Sequence, residues 1–90
     1  PFQFELFPAY PNPFNPSTTI RFNIPVETWH ATSLQIYDIT GRVVETLVDG
    51  TLDPGTHEIQ WNASEHASGI YFARLQSRSM VQSQKLILLK

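Results

Sequence analysis

Three histidines are candidate metal ligands in this sequence. They are His30, His57 and His66, and no two have the His-x-His or His-x-x-x-His spacing that brings two imidazoles to one metal. His57 alternates with Ile59 and Trp61, which is typical of the end of a buried strand face. The spacing therefore predicts no metal site and no cofactor.

Catalytic motifs are also missing from the sequence. Serine, histidine and aspartate occur, but the Gly-x-Ser-x-Gly turn of a nucleophilic serine does not. The four glycines are isolated and form no phosphate-binding loop. Asn62-Ala63-Ser64 has the form of a glycosylation sequon, yet we interpret Asn62 as a turn residue because so short a pattern arises by chance. We predict a domain that is not an enzyme.

Trp29 is the best candidate for ligand binding. It lies beside His30 in a loop between Pro25 and Thr32, where an exposed ring could stack on the face of a sugar. The alternative is a loop tryptophan folded over the end of the core, as amphipathic aromatic side chains often are. Both interpretations stay open at this point.

Composition limits the class of protein and its partners. A chain of 90 residues is one small domain, which needs large core side chains because it buries only about 60–65% of its unfolded surface. Six Phe, three Tyr and two Trp provide them, and there is no cysteine for a disulfide. A net charge of −2 argues against nucleic acid as a partner. No apolar run approaches the ~18–20 residues of a transmembrane segment.

The stretch Tyr10 to Thr18 reads YPNPFNPST and should be extended. Its three prolines each fix φ, bias the preceding residue away from the helical region and lack an amide donor. A plain linker would not need the rings of Tyr10 and Phe14. We predict that residues 1–17 form a rigid lead-in, with a candidate first short strand, and that these two aromatics pin it to a domain formed by residues 18–90.

Short strands separated by turns fill the rest of the chain. No stretch has helical periodicity, and turn signals such as Asp53-Pro54-Gly55 separate the runs. This pattern predicts an all-β, immunoglobulin-like β-sandwich of about seven antiparallel strands, with a partly open barrel as the competing fold. The predicted strands lie within residues 2–6, 19–24, 34–36, 43–48, 56–61, 70–75 and 81–89.

Two local features of these strands invite a functional interpretation. Asp38-Ile39-Thr40-Gly41 has the residues of a type I turn, and we expect a positive φ at Gly41. The last strand ends in KLILLK, which is apolar on both faces and bracketed by Lys85 and Lys90. Such a strand is a pairing hazard at a sheet edge unless charges guard it, and a receptor could bind it by strand addition.

Five ordered motifs give the sequence a family resemblance. YPNPFNPSTTIRFNIP, LQIYDITGRVVETL, GTHEIQWNAS, ASGIYFARL and KLILLK together resemble the type A C-terminal sorting domain of the type IX secretion system, over nearly the whole chain. A related immunoglobulin-like domain occurs in flagellar hook-capping proteins. The strand bracketed by lysines favours the sorting domain over an accessory module that binds carbohydrate through Trp29 and over a structural spacer.

The resemblance implies a non-catalytic signal at the end of an exported protein. It implies passage through the periplasm to the cell surface or medium, with outer-membrane secretion proteins and the N-terminal cargo of the same chain as partners. Since the sequence starts at Pro1 rather than Met, we expect any export signal to lie upstream. The positions that match the family motifs, called the motif positions below, are Pro11, Asn12, Pro13, Phe14, Gly41, Arg42, Gly69, Tyr71, Lys85 and Lys90.

Overall fold

A computed structural model describes residues 3–26 and 31–90 of the chain. Within these residues the backbone forms seven strands and no helix. The described residues therefore contain no helix that is long and apolar enough to cross a membrane. The strands are β1 (Glu5–Leu6), β2 (Ser17–Ile24), β3 (Ala31–Asp38), β4 (Val43–Thr51), β5 (Gly55–Asn62), β6 (Gly69–Ser77) and β7 (Met80–Leu88).

The strands form two sheets, and every pair of neighbouring strands is antiparallel. One sheet has the order β1-β2-β5 and the other has the order β4-β3-β6-β7. The predicted immunoglobulin-like β-sandwich is therefore confirmed, and the fold is not a barrel. The candidate first strand is present as β1, which pairs with the end of β2.

The core lies between the sheets and follows the period-two pattern of the sequence. In β2 the side chains of Ile20, Phe22 and Ile24 are fully buried, whereas the polar residues between them are exposed or half-buried. Burying each such side chain stabilises the fold by about 1.5–3 kcal/mol. The same alternation buries Leu34 and Ile36 in β3, Trp61 in β5, Tyr71, Ala73 and Leu75 in β6, and Leu86 and Leu88 in β7.

Strand β4 departs from regular alternation. Val44 and Leu47 have no partner in the β3 register, because Tyr37 pairs with Val43, Ile36 with Glu45, Gln35 with Thr46, and Leu34 with Val48. Two residues of β4 thus oppose one of β3 at two points, which is the geometry of a β-bulge. The bulges allow the neighbouring residues Leu47 and Val48 both to pack against the core.

Candidate functional site

Strand register brings most of the motif positions to one end of the sandwich. At this end β2, β4 and β6 begin, and β3, β5 and β7 finish. We call it the motif end. The Cα pairs that define it are Ser17–Asn62, Asp38–Tyr71 and Gly69–Leu88.

Asn12 and Phe14 of the lead-in hydrogen-bond to the outer edge of β7. The Asn12 Nδ2 donates to the Lys85 carbonyl and its Oδ1 accepts from the Ile87 N–H, both at 2.9 Å. The Phe14 N–H donates to the Ile87 carbonyl at 2.9 Å, and the Phe14 carbonyl accepts from the Leu89 N–H at 3.0 Å. A proline-rich segment has few backbone donors, so the Asn12 carboxamide takes the place of a peptide group along this edge.

The two aromatic residues of the lead-in have different positions. The Phe14 ring is buried and packs against Trp61, with ring centroids 5.6 Å apart, so Phe14 pins the segment as predicted. The same prediction is wrong for Tyr10, whose side chain is 80% exposed. Tyr10 is held by its backbone, which exchanges two hydrogen bonds with Thr19 at 3.0 and 3.1 Å, and this pairing leaves the ring in solvent.

Prolines 11 and 13 shape the lead-in from its exposed side. Both are solvent-exposed, and the Pro11 carbonyl accepts a hydrogen bond from the Thr18 hydroxyl at 2.7 Å. Thr18 itself is buried, so this bond satisfies a polar group at the edge of the core. The prolines fix the path of the chain on both sides of Asn12, and the Asn12 amide meets β7.

Gln82 and Gln84 extend the cover along the first half of β7. The Gln82 Oε1 accepts from the Leu6 N–H at 2.7 Å, and its Nε2 donates to the Phe4 carbonyl at 3.1 Å. The Gln84 Oε1 accepts from the Ala9 N–H at 2.5 Å. These two side chains hydrogen-bond residues 4–9 to the first half of β7, and Asn12 and Phe14 bind the second half of the same strand.

Sequence reasoning missed both glutamines, although a signal for them exists. Leu86 and Leu88 are buried, and period-two alternation places residues 82 and 84 on the same face. A polar side chain on such a face needs a hydrogen-bond partner. The pattern therefore indicated that Gln82 and Gln84 bind something, but gave no sign that the partner is the backbone of residues 4–9.

Gly41 and Arg42 lie in the tight turn that joins β3 to β4. The Gly41 N–H donates to the Asp38 carbonyl at 3.0 Å, and Gly41 has a φ of 88°, which confirms the expected left-handed position. The Arg42 Nε lies 3.6 Å from Asp38 Oδ2, with 79% of the Arg42 side chain exposed. An ion pair this exposed adds little stability, so its role in the turn is to orient Arg42.

The Asp38 carboxylate organises this turn. Its Oδ1 accepts from the Thr40 hydroxyl at 2.6 Å, from the Thr40 N–H at 2.9 Å and from the Arg42 N–H at 3.2 Å. The Thr40 hydroxyl, followed by the backbone donors and the Arg42 charge, lowers the pKa of Asp38 below its ordinary value of 3.8, because all of them favour the ionised form. The turn is therefore built around a charged carboxylate at neutral pH.

Tyr71 holds the connection between β5 and β6 at the motif end. Its ring meets Trp61 edge-on with centroids 5.5 Å apart, and its hydroxyl donates to the Ala67 carbonyl at 2.6 Å. His66 packs on both rings, at 5.6 Å from Trp61 and 6.0 Å from Tyr71. Gly69 starts β6 opposite Leu88. Both motif positions in β6 thus pack beside the end of β7.

Lys90 follows the last strand as predicted, whereas Lys85 lies inside β7 and does not bracket it, because the pairing with β6 already begins at Met80. The Lys90 Nζ donates to the Ser64 carbonyl at 2.6 Å, and its backbone N–H donates to the Ser68 hydroxyl at 3.0 Å. Lys85 is exposed and lies beside Phe72 on the outer face of the four-stranded sheet. Lys90 therefore fastens a loop, while the Lys85 charge faces solvent.

Of the three candidate metal ligands, the structure describes His57 and His66. His57 stacks on Phe22 with centroids 5.5 Å apart, and its Nε2 lies 2.7 Å from the Asp53 carbonyl. Among residues 3–26 and 31–90, no three His, Asp or Glu side chains cluster closely enough to hold a metal ion. Trp29 and His30 lie outside the described residues.

The motif end therefore offers a folded surface with cations, a fixed turn and a docked lead-in. In a comparison with known families, the model of the secretion system C-terminal sorting domain matches residues 8–89. The chain belongs to this family. No curated protein matches the chain.

The family match covers the lead-in from Pro8 as well as β2 to β7. The sorting domain is the C-terminal signal for type IX secretion, and its family is non-catalytic. The protein is thus secreted, to the cell surface or the medium, and the domain works with the secretion machinery on an attached cargo. Nothing favours the alternative of a carbohydrate-binding or spacer module.

Proposed function

We propose that the sorting address is the folded motif end itself. Its main support is the docking of Asn12 and Phe14 on β7, which joins the motif positions Asn12 and Lys85, 73 residues apart in sequence. An unfolded tail could not hold these groups together. The proposed address consists of Pro11, Asn12, Pro13, Phe14, Gly41, Arg42, Gly69, Tyr71, Lys85 and Lys90.

The lead-in, residues 1–17, serves as the joint between the cargo and the sandwich of residues 18–90. Its hydrogen bonds to β7 and its buried Phe14 ring support a docked joint rather than a free tether. A docked joint fixes where the cargo chain leaves the domain. The translocon would then meet the address and the cargo in a defined order.

The domain acts by binding alone and makes or breaks no bond. In this proposal it passes through the periplasm with its cargo and is recognised there by proteins of the outer-membrane machinery. Strand addition to the final strand is disfavoured, because Asn12 and Phe14 already occupy the edge of β7 from Lys85 to Leu89. Recognition would instead use exposed side chains, among them Lys85 and Arg42.

Export of a cargo fused to residues 1–90 tests this proposal. We expect Lys85→Gln to fold like the wild type, because exposed substitutions usually change stability by no more than about 0.5 kcal/mol. We also expect the fused cargo to accumulate in the periplasm. Arg78→Gln is the matched control, since it removes one exposed charge at the β6–β7 hairpin, at the opposite end of the sandwich.

Lys90→Gln separates the two lysines. It removes the bond to the Ser64 carbonyl, so we expect some loss of stability together with reduced export, whereas Lys85→Gln reduces export alone. Cargo exported at the wild-type level in both variants, with folding intact, would contradict an address that includes the lysines. A wild-type fusion retained in the periplasm would contradict the sorting function of this chain.

A further inference from the structure

The outer face of the four-stranded sheet carries apolar and cationic side chains that the described residues leave in solvent. Strand register places one row across all four strands, in the order Val43, Tyr37, Phe72, Lys85. Ile70 and Ile87 form the next row toward the motif end, and Arg74 and Ser83 lie in the row on the other side. We call this surface the cationic apolar face.

The outer face of the three-stranded sheet is different. Its central strand β2 and its neighbour β5 place polar residues outward, and the register pairs Thr19 with Gln60, Arg21 with Glu58, and Asn23 with Thr56. Here Arg21 lies opposite Glu58 in the register. The large apolar side chains beside Arg21, Phe7 and Tyr10, come from the lead-in and not from β2 or β5. Exposed apolar clusters mark interaction sites more often than scattered residues do, so the four-stranded sheet has the surface suited to a partner.

A groove on the cationic apolar face is lined by the cationic side chain of Arg74. It has a volume of about 570 Å³ and runs beside the Gly41 turn. The Arg74 guanidinium lies 5.9 Å from the centre of the Tyr37 ring, an arrangement that restrains it. The residues that line the groove are Tyr37, Asp38, Ile39, Gly41, Phe72, Arg74, Val81 and Ser83.

Charge selects the occupant of this groove. The outward positions of β3, β6 and β7 include Arg74 and Lys85 but no acidic residue. The outward carboxylate of β4, Asp49, pairs with Ser33 and is separated from Arg74 by β3. The Asp38 carboxylate at the rim is engaged by Thr40 and Arg42. A second copy of this face carries the same two cations, so it offers no complementary charge to Arg74 and Lys85. The complementary partner has carboxylates and apolar side chains.

We propose that the cationic apolar face binds an extended segment of the secretion machinery in which acidic and apolar residues alternate. A carboxylate of that segment pairs with Arg74, and its apolar side chains pack on Phe72 and Val81. This inference rests on the proposed sorting function and names the contact surface for it. Side chains two residues apart on a strand share one face, so one extended segment can provide both contacts.

A synthetic peptide of alternating Val and Glu residues is the direct probe, with a Val/Lys peptide as its charge control. We expect the domain to bind the Val/Glu peptide, more weakly at high salt, and not the Val/Lys peptide. Arg74→Glu should weaken binding by about tenfold or more, which corresponds to the loss of one charge-assisted hydrogen bond. Phe72→Thr should weaken binding without changing its salt dependence.

Arg21→Glu is the matched control. Arg21 also lies in a central strand and over an aromatic ring, with its guanidinium 4.7 Å from the centre of Phe7, but it is on the opposite face. Equal loss of peptide binding in Arg21→Glu and Arg74→Glu would overturn the proposal. So would binding to vesicles of anionic phospholipid that Arg74→Glu abolishes, or dimerisation of the wild type that Phe72→Thr abolishes.

Export of the fused cargo separates this inference from the function on which it rests. If the wild-type fusion is exported, and the Arg74→Glu and Phe72→Thr fusions fold but stay in the periplasm, the results support both the sorting function and the contact surface. If all three are exported equally, the contact surface is wrong and the sorting function stands. If the wild type is not exported, the sorting function fails, and the peptide experiment still decides whether the face binds acidic strands.

Discussion

The four-stranded sheet has two edges, and the chain protects them by different means. Along β7 the lead-in lies against the strand, held by Gln82, Gln84, Asn12 and Phe14. Along β4 no described residue hydrogen-bonds to the outer side of the strand, and the edge is instead bent by two bulges at Val44 and Leu47. Bulges and covering segments are both established ways of preventing unwanted strand pairing.

The difference between the edges concerns how far apart in sequence the protecting residues are. The bulges of β4 need only local residues and the short turn from β3. The cover of β7 needs groups from the opposite end of the domain, so it forms only when the whole sandwich has folded. Of the two edges, only that of β7 is therefore protected solely in the completely folded domain. Lys85 and Lys90 lie at this edge.

The largest expected effect comes from removing the ring that anchors the cover. Phe14 is buried against Trp61, so Phe14→Ala should lower the free energy of unfolding by about 3–5 kcal/mol. Val43→Ala at the β4 edge, where the side chain is 41% exposed, should have a much smaller effect. Urea unfolding of both variants measures the contrast, and similar losses would mean that the two edges do not differ as described.

The second effect concerns the local turn that sets the start of β4. Gly41 has a φ of 88°, and a Cβ built there has open space around it. Backbone strain alone should therefore cost about 1–2 kcal/mol in Gly41→Val. Gly41→Asn should cost less, because asparagine tolerates this conformation. Thermal unfolding of the two variants tests this order, and equal stability of valine and glycine would exclude a strained turn.

Most of the scaffold could be predicted from the sequence because period-two alternation survives wherever a strand is buried on one face. The runs around Phe22 and Trp61 gave the correct buried side chains, and the Asp38–Gly41 turn gave the correct φ. Each of these features depends on residues close in sequence. Local patterns were sufficient to predict them.

The cover of β7 could not be predicted, because its partners are more than 70 residues apart and no local pattern encodes their pairing. The position of the Tyr10 ring was predicted wrongly for a related reason. Prolines interrupt the period-two alternation, so the sequence no longer indicates on which side of the chain an aromatic ring lies. The cationic apolar face also needed the structure, since its rows join side chains from four different strands.

The third effect isolates the Asn12 carboxamide. Asn12→Ala removes two hydrogen bonds to exposed backbone groups of β7, which water can partly replace, so the loss should be about 1 kcal/mol. Asn15→Ala removes a nearby exposed asparagine and should change stability by less than about 0.5 kcal/mol. Amide hydrogen exchange at Ile87 should become faster in Asn12→Ala only. Unchanged exchange there would show that the carboxamide does not protect this edge.

The smallest effect is the pH dependence of the β3–β4 turn. The pKa of Asp38 is lowered in the folded state by the Thr40 hydroxyl, the backbone donors and Arg42. Its carboxylate therefore contributes stability above the ordinary pKa of 3.8, and this contribution is lost as pH falls through the lower folded pKa. The difference in unfolding free energy between wild type and Asp38→Asn should therefore decrease as the pH is lowered from 3.8 through the folded pKa of Asp38. A difference that stays constant on acidification would contradict this assignment.

The burial of Leu86 and Leu88 has a consequence for protein synthesis. Both side chains are fully buried, and β7 closes the sheet against β6 while it receives the lead-in. A nascent chain that stops before these codons lacks two core residues and the strand on which Asn12 and Phe14 dock. On the proposed function, the export address therefore forms only after the ribosome has finished the domain, so that a prematurely terminated cargo has no folded signal.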